Sequence, residues 1–261
     1  MRGTTVTTLS SSVKLWTTPT MRTSSARGAS TLRRAFSPTF PGQISSPLRS
    51  AFTSRRKGFN FSLLFFTMFL EYQGLRIKLH PQVYEPAEDT FLLAENLAVK
   101  VGDIALDMGT GTGIIALLLA RKARWVLGVD INPLAVELAR ENARINGIIN
   151  VEFRLSDLFE NVSGEFDVIT FNAPYLPGEP EEPIDLALVG GETGREVLDR
   201  FIDEVPCYLK PGGVVQIVQS SITGVEETLK RLEKAGLTAE VVAKRHIFFE
   251  DIVLINAYAK E

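Results

Sequence analysis

Asn172-Ala173-Pro174-Tyr175 follows an apolar run, Phe166 to Phe171, and lies 65 residues beyond Asp107 of the stretch Asp107-Met-Gly-Thr-Gly-Thr-Gly113. A conjugated amide or amine nitrogen is a poor nucleophile, because its lone pair is delocalised. A site that alkylates it must hold the NH₂ group, accept its hydrogens and aim the nitrogen. The oxygen of Asn172 can accept one hydrogen and a backbone carbonyl in Ala173-Pro174 the other. Tyr175 can pack its ring against the planar group. Alignment against a good electrophile then supplies much of the rate, with no strong base required. The bland alternative is an ordinary Asn-x-Pro turn ending a strand.

The electrophile is read from the glycine loop. Gly109, Gly111 and Gly113 let backbone N–H groups and a helix N-terminus approach a nucleotide-like ligand. Asp130, 23 residues after Asp107, ends the next apolar run, where an acid accepts hydrogen bonds from ribose hydroxyls. The loop alone is not specific: Gly111-Thr-Gly113-Ile-Ile-Ala116 also fits the dinucleotide pattern. Three residues favour S-adenosyl-L-methionine over NAD. Asp107 can meet the positively charged end of the cofactor, or it caps the loop amides. Asp157 closes a third strand and can meet the adenine amine, or it caps the Leu158-Phe159 turn. Asn172 and its neighbours close the fourth strand beside the position where open α/β sheets bind ligands.

The elements needed to position these groups follow from the apolar pattern. Strands are expected at Ile104–Met108, Trp125–Ile131, Val151–Leu155, Phe166–Phe171, Val214–Gln219, Ala239–Lys244 and Ile252–Ala259. Helices are expected at Ile114–Lys122, Pro133–Asn146, Arg195–Tyr208 and Val225–Ala235, with Lys210–Gly213 as a turn. Pro133 suits a first turn and Gly147 a helix end. Alternating β and α units imply a mostly parallel sheet covered on both faces. The last two strands have no helix between them and should pair as a C-terminal antiparallel hairpin. Seven such strands are the count of the Rossmann-like class I S-adenosylmethionine-dependent methyltransferases.

Charge divides the chain. Residues 1–70 hold ten Lys or Arg, 24 Ser or Thr and no acid; residues 71–261 hold all 31 acids beside 18 bases, a net −13. The first part has no amphipathic periodicity, and 1–58 is expected to be disordered. It reads as a transit-like leader or as translation from a start placed upstream of Met68. The expected location is therefore cytoplasmic, or organellar if the leader is genuine. Residues 71–261 suffice for one domain. Phe59–Leu70 is apolar over about 12 residues, against about 20 for a membrane span, so no membrane crossing is expected and the stretch is an added edge strand or reading-frame noise. With one cysteine and two scattered histidines, no metal site is expected.

With these motifs in hand, the domain resembles the HemK family of S-adenosylmethionine-dependent protein-glutamine N5-methyltransferases, which modify the Gly-Gly-Gln loop of class 1 translation release factors. The usual family turn is Asn-Pro-Pro-Tyr; here Ala173 replaces the first Pro, which keeps the carbonyl and loses the ring's rigidity. Val83-Tyr-Glu-Pro-Ala-Glu-Asp-Thr-Phe-Leu-Leu93 and Gly190-Gly-Glu-Thr-Gly-Arg-Glu-Val-Leu-Asp-Arg200 look like the short archaeal and eukaryotic branch. The resemblance implies that Tyr84, Glu88 and Thr90 border the cofactor. It puts Gly109 and Gly111 at the methionine end, Asp130 on the ribose and Asp157 near adenine. Asn172, Pro174 and Tyr175 are implied to hold the substrate amide. It also implies a small zinc-binding activator subunit pairing near the edge strand Val151–Leu155. Glu85, Glu88 and Asp89 equally fit a solvated helix start, and Arg195 can bond the backbone or pair with Glu192. Competing functions share the turn chemistry: methylation of adenine N6 or guanine N2 in nucleic acid, or of protein lysine. A domain at −13 lacks the basic surface that nucleic acid requires, whereas the leader at +10 could provide one if it is genuine.

Overall fold

The computed structural model describes residues 14–16, 68–247 and 249–260. The expected disorder of 1–58 falls outside these residues except at Lys14–Trp16, a short strand (β1) paired antiparallel with Phe69–Glu71. Of the apolar stretch 59–70, residues 59–67 lie outside them too.

A hairpin not read from the sequence opens the domain: β2 (Phe69–Tyr72) and β3 (Leu75–Lys78). Gln73 and Gly74 both take positive φ, 47° and 77°, the conformation a two-residue hairpin turn needs. α1 (Glu88–Glu95) follows, then β4 (Ile104–Met108) and α2 (Ile114–Leu119). α2 is buried throughout and stops three residues short of the expected Lys122. β5 (Trp125–Asp130) leads to α3 (Pro133–Asn146). The Asn132 side chain caps α3 by accepting from Leu134 N at 3.0 Å, Pro133 sits in its first turn, and Gly147 ends it at φ 65°. β6 (Val151–Leu155) and β7 (Phe166–Asn172) complete the strands before the site.

Beyond β7, the two short strands β8 (Leu176–Pro177) and β9 (Val189–Gly191) pair in parallel around a 3₁₀ turn at Pro183–Ala187. α4 (Glu196–Glu204) then runs into a 3₁₀ turn, Val205–Tyr208, so the expected helix 195–208 is two elements. β10 (Leu209–Ser220) includes Lys210–Gly213, which the sequence marked as a turn; it is an irregularity inside the strand, where the register shifts between Leu209 and Val214. A 3₁₀ turn at Ser221–Thr223, α5 (Val225–Lys234), β11 (Thr238–Ile247) and β12 (Glu250–Tyr258) finish the chain.

The main sheet has seven strands in the order β11-β12-β10-β7-β4-β5-β6. The run from β10 to β6 is parallel; β12 lies antiparallel between β10 and β11. This is the Rossmann-like methyltransferase sheet the sequence implied, with β6 at one edge. One apolar cluster, built on the buried α2 and α1, covers one face; a second, centred on Phe159, Phe166 and Phe201, covers the other.

The β2–β3 hairpin is fastened to α3 by two asparagines four residues apart. Asn146 Oδ1 accepts from Arg76 N at 2.8 Å and Asn142 Oδ1 from Lys78 N at 2.7 Å, while their amides donate to the Arg76 and Lys78 carbonyls. These side chains satisfy the open edge of β3. The chain leaving β3 is thereby held against α3, where Val83 packs on Ala135 and Leu138. That contact carries Tyr84 to the C-terminal end of the sheet. Chain order reverses between β4 and β7, which opens a crevice at their C-terminal ends.

Candidate active site

The crevice is a cavity of about 270 Å³. Its walls include Gly109 and Gly111 after β4, Asp130 at the end of β5, Asp157 after β6 and Asn172–Tyr175 at the end of β7 and just beyond it. Tyr84, Asp89 and Thr90 close it from the α1 side, and Pro180 with Leu186–Val189 from the loop around the first 3₁₀ turn.

The glycine loop is held by two carboxylates. Asp107 is almost fully buried, and accepts from Thr110 Oγ1 at 2.7 Å, Ala116 N at 3.1 Å and Thr170 Oγ1 at 2.8 Å. Burial pushes its pKa up to about 6, against the lowering effect of these donors. Asp107 thus braces the loop while still lining the cavity. Asp130 accepts from Gly111 N at 2.8 Å and Asn132 N at 2.9 Å, and burial raises its pKa as well. Gly111 has φ 54°, and a Cβ added there would meet nothing within 4 Å, because it would point into open space. Gly113 is not on the cavity wall. A Cβ there would come within 2.9 Å of Ala139 Cβ, so Gly113 serves the close packing of α2 on α3.

Two expectations for the α1 side change. Glu88 does not line the cavity; it faces outward, paired with Arg245 at 2.8 Å. The next residue, Asp89, points inward, is 4% exposed, and was read from the sequence only as part of a solvated helix start. Asp89 accepts from Tyr84 Oη at 2.8 Å and from Thr90 N at 2.5 Å. Burial, followed by the neighbouring Asp89 carboxylate, drives the Tyr84 phenol well above its usual range. At the far end, Asp157 does not cap the following turn with its side chain. Ser156 Oγ accepts from Asn161 N there, and Asp157 pairs with Arg200 at 3.2 Å. Arg200 also lines the cavity and had no signal of its own in the sequence.

Asn172 is the last residue of β7 and pairs in register with Val218. Its Oδ1 is buried and has no hydrogen-bond partner among the described residues. A buried acceptor left unpaired is costly unless a ligand completes it. Ala173 is buried, Tyr175 is half-buried, and Tyr175 N and Leu176 N both donate to Leu188 O, at 3.1 and 2.8 Å. Arg195 bonds the Thr223 and Gly224 carbonyls and pairs with Asp199 rather than with Glu192. The loop, the two acids that brace it and the orphan oxygen suit a nucleoside-bearing cofactor beside a planar nitrogen substrate.

Comparison with known proteins agrees. Residues 77–249 match the family model "Methyltransferase small domain". A putative protein N5-glutamine methyltransferase of Methanocaldococcus jannaschii is 53% identical over 73% of this chain and 99% of its own length. Human methyltransferase HEMK2 is 34% identical over 67% of this chain and 88% of its own. A solved structure, the E. cuniculi Mtq2–Trm112 complex responsible for methylation of the eRF1 translation termination factor, aligns with a TM-score of 0.57 and 31% identity, over 69% of this chain and 99% of that one. The chain belongs to the methyltransferase small-domain family and, within it, to the HemK group of S-adenosylmethionine-dependent protein-glutamine methyltransferases.

Proposed function

We propose that this chain methylates the side-chain amide nitrogen of the glutamine in the Gly-Gly-Gln loop of a class 1 translation release factor. The observation that carries the reading is Asn172, a residue of the cavity wall whose buried Oδ1 has no hydrogen-bond partner among the described residues. S-adenosylmethionine, when bound, supplies a methyl group activated by sulfonium. Gly109, Gly111, Asp130 and Asp157 are the residues placed to hold it, with Thr90 and Tyr84 closing the α1 side. Asn172 Oδ1 accepts one amide hydrogen and a backbone carbonyl of Ala173-Pro174 the other, which fixes the plane of the substrate amide. Tyr175 packs beside that plane.

Transfer would break the S–CH₃ bond as the N–C bond forms, with S-adenosylhomocysteine as the leaving thioether, and the proton would then leave nitrogen for water. Neither phenol is a base for it at neutral pH: burial raises Tyr84, and pushes Tyr175 up to about 12. Electrostatics support a protein acceptor over nucleic acid. Residues 173–194, which form the cavity lip, contain five carboxylates and no base, a surface that repels phosphate.

The expected zinc-binding activator would pair along β6, whose edge position and half-exposed Leu155 and fully open Ile149 leave room for an added strand. A substrate used in translation argues for the cytoplasm. Among the described residues no helix is long and apolar enough to cross a membrane. The test is transfer from labelled S-adenosylmethionine to a release factor, with and without a candidate activator, beside nucleic acid. Label lost when the loop glutamine is changed to alanine supports the reading. Label on nucleic acid alone overturns it.

A further inference from the structure

The stretch Gly190–Arg195 has no part in the chemistry described so far, yet its backbone lies directly on the catalytic turn. A Cβ added to Gly190 would come within 2.6 Å of Pro174 O and 2.5 Å of Gly194 O. One added to Gly194, at φ 81°, would collide with Tyr175 O. The two glycines therefore let one backbone ride on the other without an intervening side chain. The contact is reinforced on both sides: Leu188 O receives the Tyr175 and Leu176 amides, and Gly178 N donates to Gly191 O at 2.9 Å.

Arg195 ends this stretch, and its side chain leaves the loop altogether. Its Nη1 donates to Thr223 O, to Gly224 O at 3.1 Å and to Thr228 Oγ1 at 3.1 Å; its Nη2 pairs with Asp199 at 2.9 Å. Thr223 and Gly224 stand just after β10, the strand whose Val218 pairs with Asn172. A closed circuit results: Asn172 to β10 through the sheet, β10 to Arg195 through the carbonyls of the 3₁₀ turn that follows it, and Arg195 back to Pro174 and Tyr175 through the glycines.

We infer that Arg195 is a positioning residue for methyl transfer, which fixes the Pro174 carbonyl and Tyr175 by anchoring the Gly190–Gly194 backbone to the end of β10. The inference rests on the proposed role of that turn. A planar guanidinium suits the task because it donates to several acceptors at fixed angles; an ammonium on the same stem cannot reproduce the fork.

The experiment compares Arg195→Lys and Arg195→Ala with Asp199→Asn in the full chain. Asp199→Asn loses the ion pair and leaves the carbonyl contacts. The first readout needs no substrate: amide hydrogen exchange at Tyr175, Leu176 and Gly178. Faster exchange there by roughly tenfold in Arg195→Lys, with Val126 and Leu127 in β5 unchanged and Asp199→Asn like wild type, is the expected result. Equal exchange in Arg195→Lys and wild type overturns the inference. The second readout is steady-state methylation of the release factor. Arg195→Lys should lose kcat by on the order of tenfold to a hundredfold, with the S-adenosylmethionine dissociation constant within about twofold of wild type. A loss of cofactor affinity matching the loss of kcat also overturns it, since the effect would then not be confined to the turn. If Arg195→Ala does not fold, Arg195→Lys still decides both readouts. A wild type that labels no glutamine, with the exchange result as expected, removes the proposed acceptor and leaves the anchoring role standing.

Discussion

The amide of Ala173 donates to the carbonyl of Val218 at 3.2 Å, which extends the β7–β10 ladder one residue past Asn172 into the Ala173–Tyr175 turn. Proline, the usual residue at this place in the resembling family, has no N–H and cannot make that bond. In this chain the turn gains from the sheet the rigidity it lacks from a ring. Ala173→Pro should therefore destabilise this protein. Leaving a buried carbonyl short of a partner costs about 1–3 kcal/mol, while the stiffer unfolded chain returns only about 0.4–1 kcal/mol. Thermal unfolding of the variant is expected a few degrees below wild type. A rise in Tm would show that the ladder bond contributes nothing.

Asn172 and Asp130 should separate chemistry from cofactor binding. Asn172→Ala removes the side-chain acceptor proposed for one substrate hydrogen, and kcat should fall by roughly 10²–10³, the range for loss of one preorganised hydrogen-bonding group. Cofactor affinity should change little. Asp130→Ala takes away the acceptor of Gly111 N and Asn132 N as well as the candidate ribose contact, so its first effect should be a dissociation constant raised at least about tenfold, as expected for more than one lost charged hydrogen bond. Calorimetric titration beside single-turnover rates measures both. The same pattern in both variants would remove the assigned division of roles.

Much of the site was legible because its signals are local. The glycines announce positive φ, and the acids and Asn172 each terminate an apolar run, so topology alone brings them together. What was not legible depends on helix phase or long-range contact. Glu88 and Asp89 are adjacent acids at the start of α1, about 100° apart around its axis, and the sequence does not say which one faces inward. Arg200 reaches Asp157 across 43 residues. The β2–β3 hairpin has strands of only four residues and takes its outer hydrogen bonds from asparagines on α3, a partnership without periodicity. The Lys210–Gly213 turn was misread for a related reason: pairing with β7 and β12 draws the Gly-Gly stretch into a long strand as an irregularity.

The exchange of Glu88 for Asp89 can be checked directly. Glu88 is solvent-exposed and its bond to Arg245 is a surface ion pair, so Glu88→Gln should cost at most about 1 kcal/mol and leave cofactor affinity unchanged. Asp89→Asn alters a buried acceptor that holds both Tyr84 Oη and Thr90 N on the cavity wall, and should weaken cofactor binding or transfer severalfold. Equal effects from the two variants in a binding titration would place both carboxylates outside the site.

Asp107 should make cofactor binding depend on pH. Its buried carboxyl ionises near pH 6 rather than near 3.8. A cationic ligand close by favours the ionised form, so binding must release the proton that the free protein retains below pH 6. By linkage, affinity for S-adenosylmethionine should weaken as pH falls below about 6, by up to tenfold per pH unit for one released proton, and should level off above about 7. S-adenosylhomocysteine lacks the sulfonium charge and should show a shallower dependence. Asp107→Asn carries no ionisable group there, and its binding curve should be flat over this window, provided circular dichroism shows the loop-bracing contacts have not cost the fold. Titration calorimetry from pH 5 to 8 decides it. Parallel slopes for the two ligands in wild type would mean that the sulfonium is not near Asp107, and that this acid serves only to brace the glycine loop.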